Sequence, residues 1–278
     1  MSTFVMFTCG LSWLEMSIGA IATAGGVVGA TGLIIGLLLG IAAKKLAVEV
    51  DDRITAVREC LPGSNCGGCG FAGCDACAEA IVKGEAPVTA CAGGDAAKIA
   101  SIMGTEAGEQ VKKVAFVKCS GTCDKTKVKY RYQGIPDCRK LALIPGHGEK
   151  ECIYGCMGYG SCVSACKFDA IHIINGVAVV DKEKCVGCSA CTKVCPNHLI
   201  ELKPYDNKYA VGCSSRDKGK DVKAKCTTGC IGCGICAKQC EFGAVTVENN
   251  IAHIDYEKCT GCGKCAEKCP QKIIKLTD

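Results

Sequence analysis

Aromatic rings, histidine and nucleotide-binding loops are what this chain lacks. Its 278 residues include one tryptophan, four histidines and seven prolines, and aromatics make up 5%. So few rings leave no stacking platform for a single nucleic-acid strand. His147, His172, His198 and His253 stand at no metal-ligand spacing, and each reads as a surface or packing residue. There is no G-x-x-x-x-G-K-[ST] loop, and no dinucleotide fingerprint in its strand–turn–helix setting. Neither ATP nor NAD is therefore expected on this chain. From residue 16 to residue 43 charge is missing altogether.

Cysteine is what the chain has instead: 28 of them, about a tenth of the residues. In a secreted chain that density would suggest disulfides. Here the thiols recur as C-x2-C on tight turns, a spacing that suits metal better than structural staples. Zinc also takes C-x2-C pairs, but in two halves of two ligands. Runs of three cysteines with a distant Cys-Pro are the iron–sulfur pattern.

That pattern is written twice. Cys152, Cys156, Cys162, Cys166, Cys185, Cys188, Cys191 and Cys195 recur 74 residues later as Cys226, Cys230, Cys236, Cys240, Cys259, Cys262, Cys265 and Cys269. The text between them repeats too, Cys166-Lys-Phe-Asp-Ala-Ile against Cys240-Glu-Phe-Gly-Ala-Val. Each copy ends in C-x2-C-x2-C-x3-C-P. In two-cluster ferredoxins the first three cysteines of such a run hold one [4Fe-4S] cluster and the fourth crosses to the other. In the second copy Cys230, Cys233, Cys236 and Cys269 form one set, and Cys240, Cys259, Cys262 and Cys265 the other. In the first copy Cys166, Cys185, Cys188 and Cys191 form a set. The position matching Cys233 is Tyr159, so the other set is completed from upstream as Cys152, Cys156, Cys162 and Cys195. Within the copies, Ile171–Val180 with its Asn-Gly turn, and Val245–Ile254, read as hairpins.

A further set precedes the repeat. Cys66, Cys69, Cys74 and Cys91 are spaced C-x2-C-x4-C-x16-C in a glycine-rich stretch, where backbone amides can approach an inorganic core closely. Leu46, Val50, Ile54, Val57 and Leu61 predict an amphipathic helix leading into it. Cys77 falls on the helix after it and reads as a small buried hydrophobe. Strands are predicted around Val114 and Phe116, along the alternating Lys127–Tyr132, and at Tyr209–Val211. The first and last of these lead to Cys119-Ser120 and Cys213-Ser214. Cys119, Cys123, Cys138 and Cys213 are the candidate ligands of a sixth cluster, with Cys226 an alternative member. Cys9, Cys60, Cys77 and Cys226 are left over.

The uncharged run is long enough to span a bilayer of ~30 Å. Trp13 stands at one edge and Lys44-Lys45 at the other. By the positive-inside rule the lysines put the cysteine-rich part in the cytoplasm, with one pass through the cell membrane. Gly25, Gly29, Gly32, Gly36 and Gly40 fall on one face, a spacing that lets a partner helix approach. The run is too long for a cleaved signal peptide.

The formal charge of +5 does not imply a nucleic-acid partner. Each cluster with four thiolates carries −2, so six would turn +5 into about −7. The fold expected is α+β: an anchor at 1–45 (span about 18–43), a small helical Fe–S domain at 46–105, then two tandem two-cluster ferredoxin-like modules at 151–204 and 226–278. A cluster-bearing segment made of 106–150 with 205–225 lies around the first module. Clusters held wholly by thiolates have no open coordination site, so they move electrons rather than bind substrate.

A glycine-rich span, the Cys66–Cys91 motif and ferredoxin modules together resemble the B subunit of the Rnf complex, over nearly the whole chain. The duplicated ferredoxin region resembles its longer, cluster-rich forms. The resemblance implies a membrane complex that oxidises reduced soluble ferredoxin, reduces NAD+ and exports Na+ or H+. This chain would be the entry for ferredoxin electrons, flavins would sit on other membrane and peripheral subunits, and no complete active site would lie here. Lys218, Lys220, Lys223 and Lys225, read as a loop, are a candidate docking patch for acidic ferredoxin. Two other classes are a membrane-tethered polyferredoxin serving a hydrogenase or disulfide reductase, and corrinoid methyl transfer. The span argues against the first. The second needs a cobalamin-binding barrel, for which no stretch is long enough.

Overall fold

The computed structural model describes residues 18–45, 51–106, 108 and 111–277. Cys9, Trp13, Leu46 and Val50 lie outside them. The chain divides into two units, Met1–Val50 and Asp51–Asp278.

The first unit carries α1 (Ile18–Lys45), 28 residues, or about 42 Å of helix. From Thr23 to Lys45 it is long and apolar enough to cross a membrane. Its large side chains are exposed, Val28 and Leu39 among them, and its last turn carries Lys44 and Lys45. An apolar helix exposed on all sides needs a non-aqueous or protein surround.

The second unit opens with helices. α2 (Asp52–Glu59) begins where the Asp51 carboxylate accepts the Arg53 N–H at 2.9 Å, an ordinary cap. The described helix is thus shorter than the 46–61 periodicity suggests. α3 (Cys74–Val82) and α4 (Ala96–Met103) follow, and α4 stops at the left-handed Gly104. Val57, Ile81 and Ile99 meet in their common core.

Next come β1 (Lys113–Val117), α5 (Cys138–Leu141), α6 (Ser161–Ala165), β2 (Ile171–Ile174), β3 (Val177–Val180), α7 (Ala190–Val194) and β4 (Ile200–Pro204). Then follow β5 (Tyr209–Val211) and α8 (Gly219–Lys225), and in the second copy α9 (Ile235–Lys238), β6 (Val245–Glu248), β7 (Ile251–Ile254), α10 (Lys264–Glu267) and β8 (Ile274–Leu276). Lys127–Tyr132, expected as a strand, is not one. Only Val128 makes a bridge there, to Lys150. The lysine-rich segment, expected as a loop, is α8.

Among the described residues the sheets are antiparallel pairs. β2 with β3 and β6 with β7 are the expected hairpins. Their turns place Asn175 and Gly176, and Asn249 and Asn250, at positive φ, the turn whose twist matches the strands. β1 pairs with β4 from Lys113↔Pro204 to Val117↔Ile200, and β5 pairs with β8 from Tyr209↔Leu276 to Val211↔Ile274. Each copy is therefore closed by a strand that precedes it in the chain. Two-stranded ribbons are marginal alone. Here each packs on a core in which cysteine stands among Val, Ile and Ala.

Lys203 of β4 is 2% exposed, and its Nζ donates to the Asn207 carbonyl. Burial, then nearby Lys182, lowers its pKa to about 8. A depressed folded-state pKa means stability that is full above the unfolded value and lost as pH falls through 8. Lys203→Met should stabilise the anaerobic holo-chain at pH 7 by up to about 3 kcal/mol, less the lost hydrogen bond. That advantage should fade between pH 8 and 10.5, as read by paired denaturation curves.

Candidate metal centre

The cysteines gather into sets that surround a space rather than converge on a point. Among the described residues no three His, Cys, Asp or Glu side chains meet closely enough to hold a single metal ion. A lone zinc would draw its sulfurs to about 2.3 Å from one centre. A larger inorganic core fits the observed spread.

In the second copy Cys230, Cys233, Cys236 and Cys269 line a cavity of about 350 Å³. Cys265 has Cys259, Cys240 and Cys262 as its electrostatic neighbours. The structure brings the cysteines of each of these sets near one another. In the first copy Cys166, Cys185, Cys188 and Cys191 line a cavity of about 320 Å³. The Ala115 N–H donates to Cys185 Sγ at 3.3 Å, and the Ala170 N–H to Cys166 Sγ at 3.4 Å. Such bonds orient thiolate ligands and tune a cluster.

The other cavity of the first copy, about 390 Å³, is lined by Cys156, Cys162, Cys195 and Cys138. Cys152 is not among them. Asp137 caps α5 by accepting the Arg139 N–H, and it also accepts the Ser161 hydroxyl at 3.0 Å. Ser161 Oγ in turn accepts the Cys138 N–H at 2.8 Å. This network carries Cys138 to the start of α6, one residue from Cys162. Arg139 holds the Asp137 carboxyl near 2, so the cap stays ionised at any physiological pH.

The grouping of Cys119 with Cys123 and Cys138 is not what the fold brings together. Cys138 is held at α6. Cys123 is exposed, and its N–H donates to Asn175 O at the first hairpin turn. Cys119 and Cys213 do share a cavity, of about 450 Å³, and the other cysteines lining it are Cys152 and Cys226. Cys226, the alternative member, faces the same space as its counterpart Cys152.

Near the N-terminal end of this unit, Cys69, Cys74 and Cys91 lie close together, and Cys77 hydrogen-bonds with Cys69. Cys77 is 1% exposed, buried as expected. Cys66 is an electrostatic neighbour of Cys188 in the next set. Gly68 makes that approach possible, since a Cβ there would collide with the Cys188 carbonyl. Gly68, Gly70 and Gly73 have G-x-G-x-x-G spacing, but they follow α2 and a loop rather than a strand, so the dinucleotide setting is missing.

Burial governs the thiols. It pushes Cys162, Cys191 and Cys213 up to about 12, and Cys156 and Cys236 to about 11. Neighbouring cysteines raise Cys162 and Cys191 further. Buried thiols of this kind become ligands only by giving up a proton to metal. Four such thiols around one space fit a [4Fe-4S] group, which supplies one-electron chemistry when bound.

Fold and site together define an iron–sulfur electron carrier with ferredoxin-type 4Fe-4S domains behind an apolar helix. Family models agree: an Fe-S cluster family matches residues 61–92, a 4Fe-4S binding domain 178–201, and a 4Fe-4S dicluster domain 229–273. The chain is 49% identical over 245 residues to the B subunit of the Na(+)-translocating ferredoxin:NAD(+) oxidoreductase complex of Acetobacterium woodii, covering 87% of this chain and 73% of that one. It is 44% identical to the B subunit of the ion-translocating oxidoreductase complex of Methanosarcina acetivorans, covering 90% and 96%. It is 41% identical to the B subunit of the proton-translocating ferredoxin:NAD(+) oxidoreductase complex of Clostridium ljungdahlii, covering 81% and 80%. The chain belongs to this family of B subunits of ion-translocating, Rnf-type oxidoreductase complexes.

Cys138→Ala should remove about four irons per chain, one cluster's worth, while Cys123→Ala removes none. Metal analysis of the two purified variants reads the difference.

Proposed function

We propose that this chain is the electron-transfer B subunit of a membrane-bound, ion-translocating ferredoxin:NAD+ oxidoreductase. It accepts electrons from reduced soluble ferredoxin and passes them along [4Fe-4S] clusters to other members of the complex. The observation that carries this reading is the proximity of neighbouring cysteine sets. Cys66 lies near Cys188, and Cys191 near Cys162. α9 and α10, which carry Cys236 and Cys265, pack together. Thiolate sets with no open position and short steps between them suit conduction and leave substrate chemistry to partners.

Five sites take clusters in this reading: Cys66, Cys69, Cys74 and Cys91; Cys166, Cys185, Cys188 and Cys191; Cys138, Cys156, Cys162 and Cys195; Cys230, Cys233, Cys236 and Cys269; Cys240, Cys259, Cys262 and Cys265. The last four form two tandem two-cluster modules. α1 crosses the cell membrane once and leaves Lys44, Lys45 and the cysteine-rich unit on the cytoplasmic side.

The docking face for ferredoxin is α8. Lys218, Lys220 and Lys223 are exposed there, whereas Lys225 is tied to Asp217 at 2.7 Å and is excluded from the patch. Exposed cations of one sign steer an acidic partner and lose that effect in salt.

The test uses inverted membrane vesicles with and without this chain, given reduced ferredoxin and NAD+ anaerobically. NADH formation with coupled ion uptake should vanish without the chain. Unchanged NADH formation would leave a tethered polyferredoxin with another acceptor. In the complete complex, replacing Lys218, Lys220 and Lys223 by glutamate should raise the KM for ferredoxin about tenfold at low salt, with kcat unchanged.

A further inference from the structure

We propose a sixth [4Fe-4S] site, held by Cys119, Cys152, Cys213 and Cys226, that joins the two copies of the repeat. It rests on the electron-transfer reading and adds the link between its two modules. The four cysteines line one space of about 450 Å³. Cys213 and Cys226 are each 9% exposed.

The site is built symmetrically. Cys119 lies two residues beyond β1, which pairs with the first copy, and Cys213 lies two residues beyond β5, which pairs with the second. Cys152 and Cys226 each stand four residues before the first cysteine of their copy's run. Each half of the molecule thus contributes one strand-end cysteine and one leading cysteine. Cross-links hold the halves together around them. Thr126 pairs with Cys226, the Thr228 hydroxyl donates to Ser120 O at 3.3 Å, and the Ser214 hydroxyl donates to Lys118 O at 3.2 Å.

The lining fits a cluster. The Ser215 N–H donates to Cys213 Sγ at 3.4 Å, and the Thr126 hydroxyl is 3.6 Å from Cys226 Sγ. Ser120 Oγ lines the space, is 5% exposed and has no hydrogen-bond partner, so it is a donor left for inorganic sulfide. Lys150 is buried at the edge, with its Nζ donating to the Gly121 and Gly176 carbonyls at 2.8 Å each. A nearby cation offsets the −2 charge of a thiolate-bound cluster. Gly121 is required here, because a Cβ would collide with Thr126 and stand 3.6 Å from Cys226 Sγ and 3.7 Å from Cys119 Sγ.

Both neighbours are ligands of adjacent sets. The Cys156 N–H donates to Cys119 Sγ at 3.3 Å, and the Cys230 N–H donates to Cys213 Sγ. The site therefore stands between the Cys138–Cys195 set and the Cys230–Cys269 set. One electron enters from one side and one leaves on the other, with no bond or proton exchanged. The six sites then form one line, from the Cys66 set through the first copy and this junction into the second.

The experiment counts iron and acid-labile sulfide in anaerobically purified full chain, independently of NADH formation, so its failure is separable from failure of the functional reading. Wild type should hold about 24 of each, and Cys226→Ser and Cys152→Ser about 20, with Cys123→Ala unchanged. A fully loaded wild type with about 20 overturns the proposal, even if neither serine variant folds. So does loss of four irons from Cys123→Ala but not from Cys226→Ser.

Discussion

A thiolate does not stay in an apolar interior alone. The cores of both copies are built from Val, Ile, Ala and cysteine together, and burial drives the cysteine thiols far above their ordinary range. A metal centre that takes the thiolate charge turns this penalty into cohesion, so metal binding and folding share one free energy. The short ribbons and the helices of four or five residues follow from that constraint. None has enough apolar area of its own, and each of those short helices carries a cysteine.

The same constraint explains the path. Successive sets come near one another at Cys66 and Cys188 and at Cys162 and Cys191, and Cys156 hydrogen-bonds to Cys119 Sγ. The fold makes a wire because the centres are its packing units. Membership of the B-subunit family makes this chain one subunit of an ion-translocating oxidoreductase complex. The apolar helix stands at the opposite end of the sequence from the second copy.

Much of this was legible in the sequence, since local spacing dictates it. The 74-residue repeat, both hairpins with their left-handed turn residues, the Cys166–Cys191 set and both sets of the second copy follow from contiguous runs. The apolar span follows from composition. What was not legible depends on long-range pairing. Cys138, and not Cys152, lines the cavity with Cys156, Cys162 and Cys195 because the Asp137–Ser161 network holds α5 against α6, and no spacing encodes that. The β1–β4 and β5–β8 pairings bring Cys119 and Cys213 together. The strand-end Cys-Ser dipeptides already group Cys119 with Cys213 and leave Cys226 as an alternative member, whereas the repeat spacing draws Cys152 into the first copy. The charge of Lys218–Lys225 suggests a loop, and there helix propensity outweighs it.

The most direct test of the central claim is Mössbauer spectroscopy on the iron-57-enriched chain, before and after anaerobic addition of reduced ferredoxin. The account predicts that all iron belongs to [4Fe-4S]2+ centres at the start. Part of it should convert to the one-electron-reduced form once reduced ferredoxin is added. Iron in other forms, or centres that reduced ferredoxin leaves unchanged, would contradict it.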